Sequence, residues 1–126
     1  PATAQSVVSR LHYLRMEGKE TFKNAVQAMQ IAAEEALRRC EIDITRIKCI
    51  IPHQANARII DSAIKRLGLP NDRFFVNIDR YGNTSAASVP IALHEALAEG
   101  KIKPGDKVVL ISFGAGATWG ATLLEW

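Results

Sequence analysis

The sequence predicts an α/β domain in which helices pack on a mostly non-antiparallel sheet. Three observations carry that expectation. Apolar residues recur at helical spacing in long stretches, short β-rich runs lie between them, and glycines or prolines punctuate the changes from one to the other. At 126 residues the chain has the length of one ordinary domain, enough to bury about two-thirds of its unfolded surface around a single core.

From Glu20 to Cys40 the residues Phe22, Val26, Met29, Ala33, Ala36, Leu37 and Cys40 return at three- and four-residue steps, which predicts an amphipathic helix. After a turn at EIDITR, the run IKCII (47–51) is apolar on both faces, as a strand inside a sheet would be, and Pro52 is expected to end it. Residues 56–67 gather Ile59, Ile60, Ala63, Ile64 and Leu67 on one helical face, and Gly68 follows as a stop. FFVNI (74–78) reads as a short strand. RYGNTSAAS reads as a loop whose hydroxyls cap a helix running to Glu99, with Pro90 in its first turn or two and Gly100 beyond its end. KPGD makes a turn, and KVVLISF (107–113) and ATLLEW (121–126) read as strands joined into a hairpin by the glycine-rich FGAGATWG. The sum is roughly β-α-β-α-β-α-β-β, without internal repeats.

Composition narrows the function. With 48% hydrophobic and 23% charged residues, and no apolar run near the roughly 20 residues that span a bilayer, no membrane segment is expected. A net charge of +3 and 6% aromatics do not make the basic, base-stacking surface of a nucleic-acid binder, although local basic clusters suit an acidic partner. Cys40 and Cys49 lack metal-ligand spacing and read as buried free thiols of a reducing, cytoplasmic compartment; no metal site is expected. The N-terminus has neither a signal-peptide pattern nor an initiator methionine, so the chain is expected to begin within something larger.

Position singles out a few polar residues. His53 lies two residues past the 47–51 strand, and ligands of open α/β sheets bind beyond the carboxyl ends of strands. A histidine there also satisfies backbone groups at an ordinary strand-to-helix turn, and position alone favours that plainer role. Asn83, in a loop before a helix, is equally well explained as Gly-Asn turn chemistry. GAGATWG misses the dinucleotide fingerprint, because its third glycine falls one position late and a strand follows instead of a helix. Its small residues suit either a tight hairpin or the close approach of a substrate oxygen to a backbone N–H. No nucleophile stands out: Ser85 and Ser88 read as capping residues, and neither cysteine sits at a helix N-terminus.

Taken together, MEGKETFK, IIPHQANARII, NIDRYGNTSAASVPIAL and FGAGATWGATLLEW resemble the C-terminal half of β-ketoacyl-acyl carrier protein synthase III, a thiolase-fold condensing enzyme of fatty acid synthesis. The match runs from about residue 12 to the end, with the histidine and asparagine thirty residues apart. The resemblance implies residual linker over 1–12, a thiolase-like C-terminal domain over 13–126, and a mixed sheet of about five strands. It also implies that His53 and Asn83 are two members of a Cys-His-Asn triad whose cysteine belongs to an absent N-terminal half. By the same resemblance, Ala115 supplies a backbone oxyanion donor where the family commonly has glycine, and Phe113 shields the nucleophile. Gln54, Ala55, Asn56, Ala57 and Arg58 form the segment that meets the carrier protein or coenzyme A, with Lys65 adding charge one face along. The implied reaction is a decarboxylative Claisen condensation on coenzyme A and acyl carrier protein thioesters, without a resident cofactor. A half-fold with 48% apolar residues is also expected to expose an apolar face where its missing partner packs, and so to self-associate as a homo-oligomer. A non-catalytic partner-binding domain, or a specialised-metabolism ketosynthase or acyltransferase, are the alternatives.

Overall fold

A computed structural model describes residues 1–13 and 16–126; Leu14 and Arg15, inside the span expected for the domain, lie outside the described residues. The chain forms α1 (Ala4–Val8), α2 (Gly18–Arg39), β1 (Cys49–Pro52), α3 (Ala57–Leu67), α4 (Ile78–Tyr81), α5 (Ser88–Ala98), β2 (Lys107–Gly114) and β3 (Thr118–Glu125). The sheet has the order β1-β2-β3. β1 runs parallel to β2, from Cys49 opposite Val108 to Pro52 opposite Ile111, and β2 runs antiparallel to β3, from Lys107 opposite Glu125 to Gly114 opposite Thr118.

Period-two alternation along these strands builds a core on each face of the sheet. Ile50, Val109 and Ile111 point to the side covered by α2 and α3, where they meet Val26, Met29, Ala33, Ile60 and Ile64. Cys49, Ile51 and Val108 point to the side covered by α5, where they meet Ala92 and Ala96. Burial on both faces is why IKCII lacks polar alternation. Each fully buried isoleucine contributes about 1.5–3 kcal/mol by the area it removes from water.

The α2 and α3 helices fall close to their predicted limits. Asn56 caps α3, its Oδ1 accepting the Arg58 N–H at 2.9 Å, and Gly68 closes it in the left-handed region at φ 68°. A Cβ at Gly68 would meet nothing within 4 Å, so Gly68→Ala carries only the backbone penalty. A loss of about 1 kcal/mol is expected, read as a small fall in the denaturation midpoint of the full-length protein. A loss several times larger would mean that α3 ends some other way.

Three expectations are corrected. The opening β is not found: among the described residues, α1 alone precedes α2, held by a reciprocal capping box between Thr3 and Ser6. FFVNI is not a strand. Phe74 makes one parallel bridge with Ile50 and the Phe75 N–H reaches the Ile50 carbonyl at 3.0 Å, but the Asn77 N–H is taken by the Gln54 side chain and α4 starts at Ile78. A buried side chain has displaced the ladder, leaving three strands among the described residues where about five were expected. Finally, β3 begins at Thr118, so the hairpin loop is only Ala115, Gly116 and Ala117, the last two at φ 76° and 51°. The glycine-rich run is mostly paired strand: Trp119 and Gly120 stand opposite Phe113 and Ser112.

Candidate active site

His53 leaves the carboxyl end of β1 with its backbone still in the sheet, its N–H donating to the Ile111 carbonyl at 2.7 Å. Pro52 offers no N–H, so this bond is what carries the β1–β2 ladder one residue further and fixes the Cα of His53. The ring stands edge-on to Phe113, with centroids 5.7 Å apart and planes at 66°. Its Nδ1 lies 2.5 Å from Ser88 Oγ at the start of α5. Half-burial pushes the imidazole pKa below its ordinary value of about 6.5, because desolvation penalises the charged ring. At neutral pH His53 is therefore a neutral hydrogen-bonding group.

Asn83 follows Gly82, which turns the chain out of α4 at φ 66°. Its Oδ1 accepts the Ser85 N–H at 2.9 Å. This pairing engages the acceptor and orients the amide, while Nδ2 donates to no partner among the described residues. The turn reading from sequence is thus right about the backbone, and the same bond holds the free donor in place.

His53 and Asn83 line one open cleft of about 500 Å³, together with Ser85, Phe113, Gly114, Ala115, Thr118 and Trp119. A second groove of about 630 Å³ shares His53, Asn83 and the hairpin, and runs past Ala55 and Asn56 to Thr21, Phe22 and Ala25 on α2. Phe113 is half-buried, packing on the core as well as on His53. Ala115 sits at the first loop position, and the left-handed backbone falls on Gly116 and Ala117 instead. Alanine there meets no conformational obstacle.

The segment after His53 divides. Gln54 is 1% exposed, and its amide is spent inside the protein: Nε2 donates to the Pro52 carbonyl at 2.7 Å and the Phe75 carbonyl at 3.4 Å, while Oε1 accepts the Asn77 N–H at 3.0 Å. The side chain, expected to help meet a carrier protein or coenzyme A, instead replaces strand pairing and faces away from solvent. Ala55 is half-buried and Asn56 exposed, both on the groove wall. Ala57, Arg58 and Lys65 are exposed on α3, whereas Arg66 is braced across to Gln30 on α2.

Two residues of this region were not legible in the sequence. Ser88, expected as a cap, is 2% exposed and faces His53 across 35 positions of chain. Asn77, expected within a strand, is 1% exposed; its Nδ2 donates to Glu95 on α5 at 2.8 Å, where Tyr81 and Arg80 also converge, at 2.5 and 2.9 Å. These bonds tie α4, and with it the approach to Asn83, to the helix that carries Ser88. Local sequence gives no sign of either, because both partners come from distant segments.

Comparison with known proteins places the chain among relatives of one family. A family described as 3-oxoacyl-[acyl-carrier-protein] synthase III C terminal matches residues 37–126. The chain is 52% identical over 126 residues to a β-ketoacyl-[acyl-carrier-protein] synthase III from Symbiobacterium thermophilum, covering all of this chain and 38% of that protein. Among solved structures, the β-ketoacyl-[acyl carrier protein] synthase III of Thermus thermophilus superposes with a TM-score of 0.87 at 54% identity, over 89% of this chain and 35% of that one. The 3-oxoacyl-(acyl carrier protein) synthase III of Pseudomonas aeruginosa superposes equally well, TM-score 0.87 at 40% identity, over 100% of this chain and 38% of that one. The chain thus spans about two-fifths of the length of the curated relatives it matches.

Proposed function

Because the chain belongs to the 3-oxoacyl-[acyl-carrier-protein] synthase III family, of which it carries the C-terminal part, we propose that it supplies the histidine and asparagine of a decarboxylating condensing site. The observation that supports this reading is the convergence of His53 and Asn83 on one cleft, with the Asn83 carbonyl tied back to Ser85 and its N–H donors left over. The nucleophilic cysteine that completes the site is assigned to the part of the enzyme this chain does not contain.

The chemistry follows from where charge develops. The thioester carbonyl oxygen of a malonyl group on acyl carrier protein accepts N–H bonds from His53 and Asn83. As the bond to the carboxylate breaks and carbon dioxide leaves, the electron pair becomes an enolate whose oxygen these two donors stabilise. The enolate carbon then attacks the acyl group that coenzyme A delivered to the cysteine. A carbon–carbon bond forms, the tetrahedral oxyanion meets a backbone donor at Ala115, and the thiolate departs, leaving 3-oxoacyl carrier protein. These steps balance with thioester substrates alone and call for no resident cofactor. A neutral imidazole is the right species throughout, since its task is to donate a hydrogen bond rather than a proton.

Around the cleft the proposal extends to docking. Arg58 and Lys65 present positive charge on the exposed face of α3, suited to an acidic carrier, with Asn56 on the groove wall beside the path of a thioester arm. In the full-length enzyme, Arg58→Glu is expected to raise the KM for malonyl carrier protein about tenfold with kcat nearly unchanged, and added salt should shrink the difference. An unchanged KM at low salt would remove Arg58 from the docking face. Val7, Val8, Leu11, Tyr13 and Met16 are 60–77% exposed, an apolar surface of the kind that other parts of the enzyme, or a second copy, would cover. No helix among the described residues is long and apolar enough to cross a membrane; both cysteines are free thiols, Cys49 buried as expected and Cys40 exposed, against expectation, at the end of α2.

The test is to assay the full-length enzyme and the 126-residue chain separately with a short acyl-CoA and malonyl carrier protein, following the carrier-bound product by mass. Only the full-length enzyme should form 3-oxoacyl carrier protein. Turnover by the chain alone, or none by the enzyme, would overturn the reading.

A further inference from the structure

We propose that Ser88 is a positioning residue: its hydroxyl donates to His53 Nδ1 and holds the imidazole as the Nε2–H tautomer, the form that points a donor at the cleft. This inference rests on the reading above, in which His53 serves as a hydrogen-bond donor to an enolate oxygen.

Ser88 Oγ is buried, the residue being 2% exposed, and has two partners. One is the Gln54 backbone N–H at 3.2 Å, which can only donate, so the oxygen accepts there. The other is His53 Nδ1 at 2.5 Å. A hydroxyl carries one hydrogen, and among the described residues Nδ1 is the acceptor placed to receive it. The opposite assignment, with Nδ1–H donating to the hydroxyl, would strand a buried hydroxyl hydrogen with no partner. A neutral imidazole that accepts at Nδ1 carries its hydrogen on Nε2. Burial keeps the ring neutral, in line with its lowered pKa.

The supports of Ser88 are themselves rigid. Gln54, next in sequence to His53, is pinned by its side chain to Pro52, Phe75 and Asn77, so the N–H it offers Ser88 cannot swing away. The backbone of His53 is pinned in turn to Ile111. Ser88, Gln54 and Asn77 are the buried polar residues among those described, and all three belong to this one network. A core that holds its buried polar groups behind a single histidine is organised to fix that ring.

The experiment uses the full-length enzyme labelled with nitrogen-15 histidine, together with Ser88→Ala, Ser88→Thr and His53→Ala. The wild-type His53 ring should show a protonated Nε2 and an unprotonated Nδ1. Ser88→Ala should mix the tautomers and lower kcat for malonyl decarboxylation about 10- to 100-fold, the usual scale for losing the partner that orients an imidazole. KM and acyl transfer to the cysteine should change little, and Ser88→Thr should restore the Nε2–H form and part of the rate. An Nδ1–H ring in the wild type overturns the proposal, as does a Ser88→Ala enzyme with wild-type tautomer and kcat. Should Ser88→Ala fail to fold, the wild-type tautomer and Ser88→Thr still decide it. Decarboxylation that survives His53→Ala would instead overturn the catalytic reading of His53, whatever the tautomer.

Discussion

Replacing His53 with alanine in the full-length enzyme is expected to slow malonyl decarboxylation by about 10²–10³-fold, the loss that follows removal of one donor to a developing oxyanion. Asn83→Ala should fall in the same range, and Asn83→Asp further still, because it trades the free N–H pair for negative charge beside an enolate. The double variant should lose less than the product of the two, since both donors serve one oxygen. Acyl transfer from acyl-CoA to the cysteine, read as covalent mass gained by the protein, should survive each change, because no enolate forms in that step. This split separates the mechanism from a merely structural role for the two residues. A structural role would depress both half-reactions together, and a His53→Ala enzyme that decarboxylates normally would end the assignment.

The second large effect is on stability. Gln54→Ala removes a buried amide that serves three backbone groups, the carbonyls of Pro52 and Phe75 and the N–H of Asn77. Each orphaned buried group costs about 1–3 kcal/mol, and the long bond to Phe75 adds little, so the other two set a total of about 2–6 kcal/mol. In the full-length protein, at about 1.5 °C per kcal/mol for a chain of that size, this should appear as a fall in Tm of about 3–9 °C. Gln54→Glu should do no better, since it keeps an acceptor for Asn77, loses both donors and buries a charge. The surviving folded enzyme should bind carrier protein with unchanged KM. A normal Tm with a raised KM would restore the docking role that the sequence resemblance implied for this residue.

Gln54 also shows where reading a sequence reaches its limit. Within IIPHQANARII, the strand, the cap at Asn56 and the helix after it are decided by neighbours a few residues apart, and all three are legible. The exposure of Arg58 follows from the helical face it occupies. Gln54 and Arg58 look alike as polar residues after a strand, yet one is sealed in the core and the other meets solvent. The difference comes from Phe75 and Asn77, more than twenty positions away, and nothing near Gln54 announces them.

The same contrast explains FFVNI. Its phenylalanines and valine have strand propensity, but the Asn77 N–H that a ladder would use is claimed by a side chain, and tertiary pairing outweighs local preference. In the hairpin, glycines that locally suggest a long loop are accepted within β2 and β3, because the cross-strand partners from Ser112 to Gly114 continue the ladder.

By itself, the sequence determined the α/β class, the order of the main helices, the buried character of β1, the strand-end placement of His53 and, through four ordered motifs, the family. All of these rest on periodicity, capping and motif spacing, which are local. Only the tertiary structure decided that Gln54 is core, that Asn83 has its acceptor tied and its donors left over, and that Ser88 stands behind His53. Those outcomes depend on which distant backbone and side-chain groups meet in a low-dielectric interior, where every donor must find an acceptor, and that pairing exists only once the chain has folded.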